Sequence, residues 1–139
     1  MCAASPLADV VRLWAGLGYN RRAVNLHRAA TAVVERHGGA LPDDLDALLA
    51  LPGVGSYTAR AVLAFAFERD VGVIDVNAAR VLARAWGDAS QAAADAVVPP
   101  GEGWAWNQAM LDLGAMVCTR RPLCRECPLS GECRWKLAG

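Results

Sequence analysis

Cys118, Cys124, Cys127 and Cys133 bring four thiols into sixteen residues, in the pattern Cys-x5-Cys-x2-Cys-x5-Cys. Thiolates are soft ligands, and on spacing alone four of them in a short stretch suit a tetrahedral zinc ion or a [4Fe-4S] cluster. Met1 to Pro6 has neither the basic flank nor the apolar stretch of an export signal. A reducing, cytoplasmic setting is therefore expected, which favours a metal site over two disulfides. Cys2 stands apart from the group.

A second constellation is Leu51-Pro52-Gly53-Val54-Gly55-Ser56. Its glycines permit backbone angles and close approaches that side chains prevent. A helix starting here turns its first N–H groups outward as an anion site. A plain connection between two helices is the simpler reading of the same residues. Asp75 follows Gly55 by 20 residues. It lies between a short extended stretch, Val71 to Ile74, and a new apolar period, so it is an N-cap candidate whose carboxylate can also return to the hairpin face.

The elements that must position these groups are helices. Ser5 or Pro6 opens one through Leu7, Val10, Val11, Leu13 and Trp14, whose spacing predicts an apolar stripe on a core. Asn20 is expected to cap a second, which stops at His37-Gly38-Gly39; His27 and His37 read as surface histidines. A short helix follows Leu41-Pro42-Asp43-Asp44. Ser56 is expected to cap a helix from Tyr57 to Phe67, apolar on nearly every side and so buried in the middle of a bundle. Val76 to Trp86, Ala89 to Val98 and Trp104 to Val117 complete the set. No strand-period segment of useful length appears, and the predicted fold is all-α.

The 139 residues amount to one domain's worth of chain. Although 55% of residues are hydrophobic, much of that is alanine and no run approaches the roughly 18 residues of a membrane span, so a soluble protein without a membrane partner is expected. The net charge of zero conceals two basic segments, Arg12 to Arg36 and Cys118 to the end, around the acidic group Asp43, Asp44 and Asp46.

Leu51 to Ala59, Val73-Ile74-Asp75-Val76-Asn77 and Arg80 to Arg84 together resemble the helix-hairpin-helix glycosylase superfamily, which includes endonuclease III and adenine DNA glycosylases of the MutY type. Trp14 to Tyr19 with Arg22, Asn25-Leu26-His27, His37-Gly38-Gly39 and Asn107 to Ala115 favour the adenine branch. The resemblance spans nearly the whole chain. It implies a partial glycosylase barrel in 5–103, and a last helix with an iron-sulfur loop in 104–139.

By the same resemblance, Pro52, Gly53, Val54 and Gly55 grip a DNA phosphate with a bound monovalent cation, and the target nucleotide is flipped into a pocket. Asp75 stabilises the positive charge that develops on the sugar, Asn77 orients Asp75, and Tyr57 lies near the reacting sugar. Bifunctional members carry lysine at position 57 for a Schiff base. Tyr57 implies a monofunctional enzyme that hydrolyses the N-glycosidic bond of adenine opposite 8-oxoguanine or guanine. The partner implied is double-stranded DNA with a mispaired adenine, met by a monomer at the nucleoid.

The family's Asp-Gly-Asn is Asp75-Val76-Asn77 here, and its six residues between the first two cysteines are five. Similarity of the loop implies a [4Fe-4S] cluster on Cys118, Cys124, Cys127 and Cys133, ordering Arg120, Arg121 and Arg125 for phosphate contact. The family's general acid is a glutamate upstream of everything present, and none of Glu35, Glu68 or Glu102 matches it, so an N-terminally shortened chain is expected. A non-catalytic DNA-binding remnant and a glycosylase for mismatched thymine are the alternatives.

Overall fold

The computed structural model describes residues 2–139. All regular elements among them are helical: α1 Leu7–Leu13, α2 Arg21–His37, α3 Leu45–Leu49, α4 Ser56–Ala66, α5 Val76–Ala85, α6 Gln91–Ala96, α7 Gly103–Asp112 and α8 Arg134–Leu137, with a 3-10 turn at Cys2–Ala4. None of these helices is long and apolar enough to cross a membrane. Two compact units divide the chain, Met1–Ala59 and Arg60–Gly139. That division follows packing, whereas the segments 5–103 and 104–139 follow the motifs.

In the first unit, Val10, Ala23, Ala32, Val33, Leu48, Leu51 and Ala59 are buried. Leu13 is 87% exposed, so the stripe expected on α1 reduces to Val10, with Val11 and Trp14 half-buried. Asn20 takes helical angles and makes no side-chain cap; α2 instead follows Tyr19, whose carbonyl accepts from Arg22 N–H at 2.8 Å. The far end of α2 closes as expected, with Gly38 at φ 62° donating back to Val33. His27 is half-buried and its Nε2 donates to the Ser5 carbonyl at 2.9 Å. Asp44 caps α3 through Ala47 N–H at 2.9 Å, a bond that contributes about 1 kcal/mol.

Helix α4 starts one residue earlier than expected, with Ser56 inside it and the Gly55 carbonyl accepting from Ala59 N–H. It buries Ala59, Leu63 and Ala64 but leaves Tyr57, Thr58 and Ala66 exposed. The expectation of a helix apolar on nearly every side and buried in the middle of a bundle is corrected: its first turn, with Tyr57 and Thr58, stays open, and a small methyl such as that of Ala66 carries little apolar area and does not demand burial.

The second unit is built on α5, where Ala78, Val81, Leu82 and Ala85 follow the 3-and-4 spacing of one buried face. Val81, Leu82, Ala94 and Met110 form its core, with Ile74, Trp86, Val97, Trp106 and Leu113 against them. Full burial of each large side chain contributes on the order of 2 kcal/mol. Val71 to Ile74 belongs to no helix or strand. Beyond α7, Leu113–Val117 widens to a π-turn that closes on Leu113 O from Cys118 N–H at 2.7 Å. The sequence pattern read this stretch as regular helix, because one extra residue in a turn leaves apolar spacing nearly unchanged. Helix α8 was not expected at all; four residues are too few for a period to show.

Candidate functional site

Pro52 and Gly53 occupy the two central places of a tight turn closed by Val54 N–H on Leu51 O at 3.1 Å. Gly53 has φ 78°, as the third place of a type II turn requires. It also lies against α2: a Cβ there would come within 2.5 Å of Asn25 Cβ. The turn therefore needs glycine for conformation and for space. Leu51 is buried and anchors it, while Gly53 and Gly55 are exposed. The first-turn N–H groups of α4 have no partner within the helix. Beside the hairpin is a cleft of about 260 Å³ lined by Trp14, Arg22, Asn25, Thr58 and the turn itself. Tyr57, 48% exposed, sits on the first turn of α4.

A neighbouring loop in the first unit, Gly16 to Tyr19, entered the sequence reading as part of a family motif and not as a site. Gly16, Gly18 and Tyr19 all have positive φ, at 90°, 70° and 50°. Trp14 Nε1 donates to Gly18 O at 2.9 Å, and Arg22 lies 5.3 Å over the Trp14 ring. This arrangement leaves Tyr19 84% and Leu17 64% exposed. A left-handed tyrosine costs about 1–2 kcal/mol, and the alternation Gly-x-Gly-Tyr was the sequence signal for it.

In the second unit, Asp75 is in extended conformation at the N-cap of α5. Its Oδ1 accepts from Asn77 N–H at 2.9 Å and Ala78 N–H at 2.7 Å, and its Oδ2 accepts from Asn77 Nδ2 at 3.1 Å. The two oxygens divide their work: Oδ1 caps the helix, and Oδ2, with a single partner, retains acceptor capacity. The carboxylate also benefits from the positive end of α5. Asn77 is held in turn by Arg80, whose Nη2 donates to Asn77 Oδ1 at 2.9 Å and to Gly114 O, and whose Nε donates to Cys118 O at 2.6 Å. Gly114 on the π-turn lies so close that an added Cβ would come within 2.7 Å of Asn77 O. Val76, which replaces the family's glycine, is 78% exposed and blocks none of these bonds. Arg80 appeared in the sequence only as part of a family motif, and its tie between Asn77 and the cysteine loop has no local signature.

Cys118, Cys124, Cys127 and Cys133 line one small cavity of about 20 Å³, partly open to solvent, together with Arg84, Pro122 and Trp135. Arg84 Nη1 donates to Cys118 Sγ at 3.4 Å and to Thr119 O at 2.6 Å, and Trp135 stacks on it at 5.0 Å. All four thiols are half-buried and none is in a disulfide. Among the described residues, no group of three Cys, His, Asp or Glu side chains could hold a single metal ion. Four thiols lining one cavity are a donor set that suits a sulfur-ligated metal group. Arg120, Arg121 and Arg125 are exposed on the same loop.

A helix-hairpin-helix motif matches residues 36–65, which contain α3, the turn and all but the last residue of α4. Along 99% of this chain the sequence is 44% identical to the adenine DNA glycosylase of Mycolicibacterium smegmatis, and the match takes in 50% of that protein. The chain thus spans about half the length of this relative and 27% of the human adenine DNA glycosylase, to which it is 42% identical over 95% of its own length. Among solved structures, a thermostable thymine-DNA glycosylase superposes with a TM-score of 0.91 at 30% identity, over 99% of this chain and 69% of that one. The chain belongs to the helix-hairpin-helix superfamily of DNA glycosylases. A non-covalent endonuclease III–DNA complex matches at a TM-score of 0.80 and 28% identity, over 99% and 68% of the two chains.

Proposed function

We propose that this chain carries the DNA-gripping and bond-breaking parts of a monofunctional adenine DNA glycosylase acting on adenine opposite 8-oxoguanine or guanine. The observation that carries the proposal is the Asp75 carboxylate, held by Asn77 and two backbone N–H groups with acceptor capacity left on Oδ2. As the glycosidic bond lengthens, positive charge gathers on the sugar, and a fixed anion that does not have to reorient lowers the barrier. Asn77 orients that anion and Arg80 orients Asn77. Tyr57 offers no amine, so water is the nucleophile that completes the hydrolysis. No general acid is assigned to a residue of this chain.

The DNA is double-stranded, with its mispaired adenine turned out of the stack. Pro52 to Gly55 and the start of α4 take one phosphate, with a monovalent cation at the turn. Leu17 and Tyr19 are the exposed apolar side chains offered to an opened base step. Cys118, Cys124, Cys127 and Cys133 hold a [4Fe-4S] cluster, which supplies a rigid cross-link for the loop that presents Arg120, Arg121 and Arg125 to phosphates. The protein acts as a monomer at the nucleoid in the cytoplasm.

The test is single-turnover base release from a duplex containing adenine opposite 8-oxoguanine. Asp75→Asn is expected to lower the rate about a hundredfold; equal rates in both proteins sink the role given to Asp75. The likeness to a thymine-DNA glycosylase favours a second reading, removal of mismatched thymine. Release of thymine in preference to adenine in the same assay selects it. Salt-dependent binding with no release of either base selects the non-catalytic reading.

A further inference from the structure

Between α4 and α5 the chain runs through residues 67–75 without helix or ladder, and it carries Asp75 at its end. Buried peptide groups in such a stretch need partners from elsewhere. Here side chains supply them, on alternate sides. Asn107 on α7 is 2% exposed; its Oδ1 accepts from Val73 N–H at 2.7 Å, and its Nδ2 donates to Val71 O at 2.8 Å and to Gly103 O at 2.7 Å. On the opposite side, Asp95 Oδ1 accepts from Gly72 N–H at 2.7 Å, and Gln91 Nε2 donates to Gly72 O at 2.9 Å. Arg60 pairs with the same Asp95 oxygen at 2.7 Å. A Cβ on Gly72 would come within 2.6 Å of the Ala94 carbonyl carbon, so this side too is closed.

Successive peptide groups of an extended chain face opposite ways, which is why residues 71 and 73 meet one partner and residue 72 the other. The two sets of side chains act as the neighbouring strands this segment lacks. The Asp75 carboxylate is bonded within the start of its own helix. Where that start stands is therefore set by the backbone entering it and by Arg80 on the leaving side.

We propose that Asn107 is a positioning residue for Asp75, acting through Val71 and Val73, with Asp95 and Gln91 holding the opposite edge at Gly72. The proposal rests on the role given to Asp75 above. Asn107 touches no reacting atom in it; it decides where the carboxylate is presented.

The experiment compares the full chain with Asn107→Asp, which keeps the acceptor for Val73 and loses both donors, and with the milder Gln91→Leu. Val10→Ala, a core truncation in the first unit, serves as a control for lost stability alone. Asn107→Asp is expected to slow single-turnover base release at least tenfold, with duplex affinity within twofold of the parent. Gln91→Leu is expected to slow it about threefold, and Val10→Ala to leave it unchanged. Amide hydrogen exchange at Asn77 and Ala78, whose N–H groups bind Asp75, is expected to speed up at least tenfold in Asn107→Asp and not in Val10→Ala.

Equal base release by parent and Asn107→Asp overturns the proposal, as does a rate loss matched by Val10→Ala. Absence of base release from the parent itself counts against the proposed function; the exchange measurement then decides alone, and unchanged protection of Asn77 and Ala78 overturns the clamp.

Discussion

The turn at Pro52 and Gly53 is held mostly by its sequence neighbours: Val54 bonds Leu51, Ala59 bonds Gly55, and Asp44 caps the helix before it through Ala47. The approach to Asp75 draws its partners from far along the chain, with Asn107 34 residues from Val73, Asp95 23 from Gly72, and Arg80 38 from Cys118. The turn's own hydrogen bonds close within a few residues, with Gly53 against Asn25 as its long-range contact. A carboxylate supported at long range is in place only once the second unit has packed, so its aim reports on the packing of the whole unit.

Four substitutions test that contrast, in falling order of expected effect. Gly53→Val forces a branched side chain into φ 78° and against Asn25. It is expected to cost about 3 kcal/mol of stability and most of the duplex affinity, read by thermal unfolding and a binding titration. If Gly53→Val binds like the parent, the hairpin is not the grip.

Arg80→Met leaves Cys118 O, Asn77 Oδ1 and Gly114 O without their donor. A loss of about 2 kcal/mol is expected, accompanied by slower base release at unchanged affinity. Loss of stability with an unchanged rate would show that Asn77 needs no support from the cysteine loop.

Asp44→Ala removes one local cap and should cost about 1 kcal/mol, with base release untouched; any larger, delocalised effect on the chemical step would break the contrast. Arg121→Ala is the smallest. It should weaken duplex binding evenly across sequences and reduce the slope of log affinity against log salt by about one. An unchanged slope would return Arg121 to the solvent.

These differences also explain what could be read in advance. The cysteine spacing, the Pro-Gly turn, the left-handed Gly38 and the Asp75 cap are written in adjacent residues, and the structure has all of them. Asn107 showed only as the start of a family motif: it sits inside a helix among Trp104, Trp106 and Met110, and its three bonds go to residues a pattern search does not connect with it. The π-turn and α8 were missed for a different reason, being too short to impose a period. Asn20 misled because a good capping residue was present at a helix start that uses another device. The buried helix expected from Tyr57 to Phe67 misled because its first turn, with Tyr57 and Thr58, stays open, and because an alanine such as Ala66 counts as apolar in a pattern but adds little area in a core.

The widened turn at Leu113–Val117 makes chain length itself informative in this part of the protein. Each residue of a helix advances it by about 100°, so the extra residue works as a gear tooth, fixing the angle at which Cys118 leaves the helix. Removing Ala115 would let the helix close regularly and rotate everything after it by about that angle. Cys118 O would then leave Arg80. A single deletion there alters no charge and no ligand, yet it would disengage the cysteine loop from the helix that begins at Asp75.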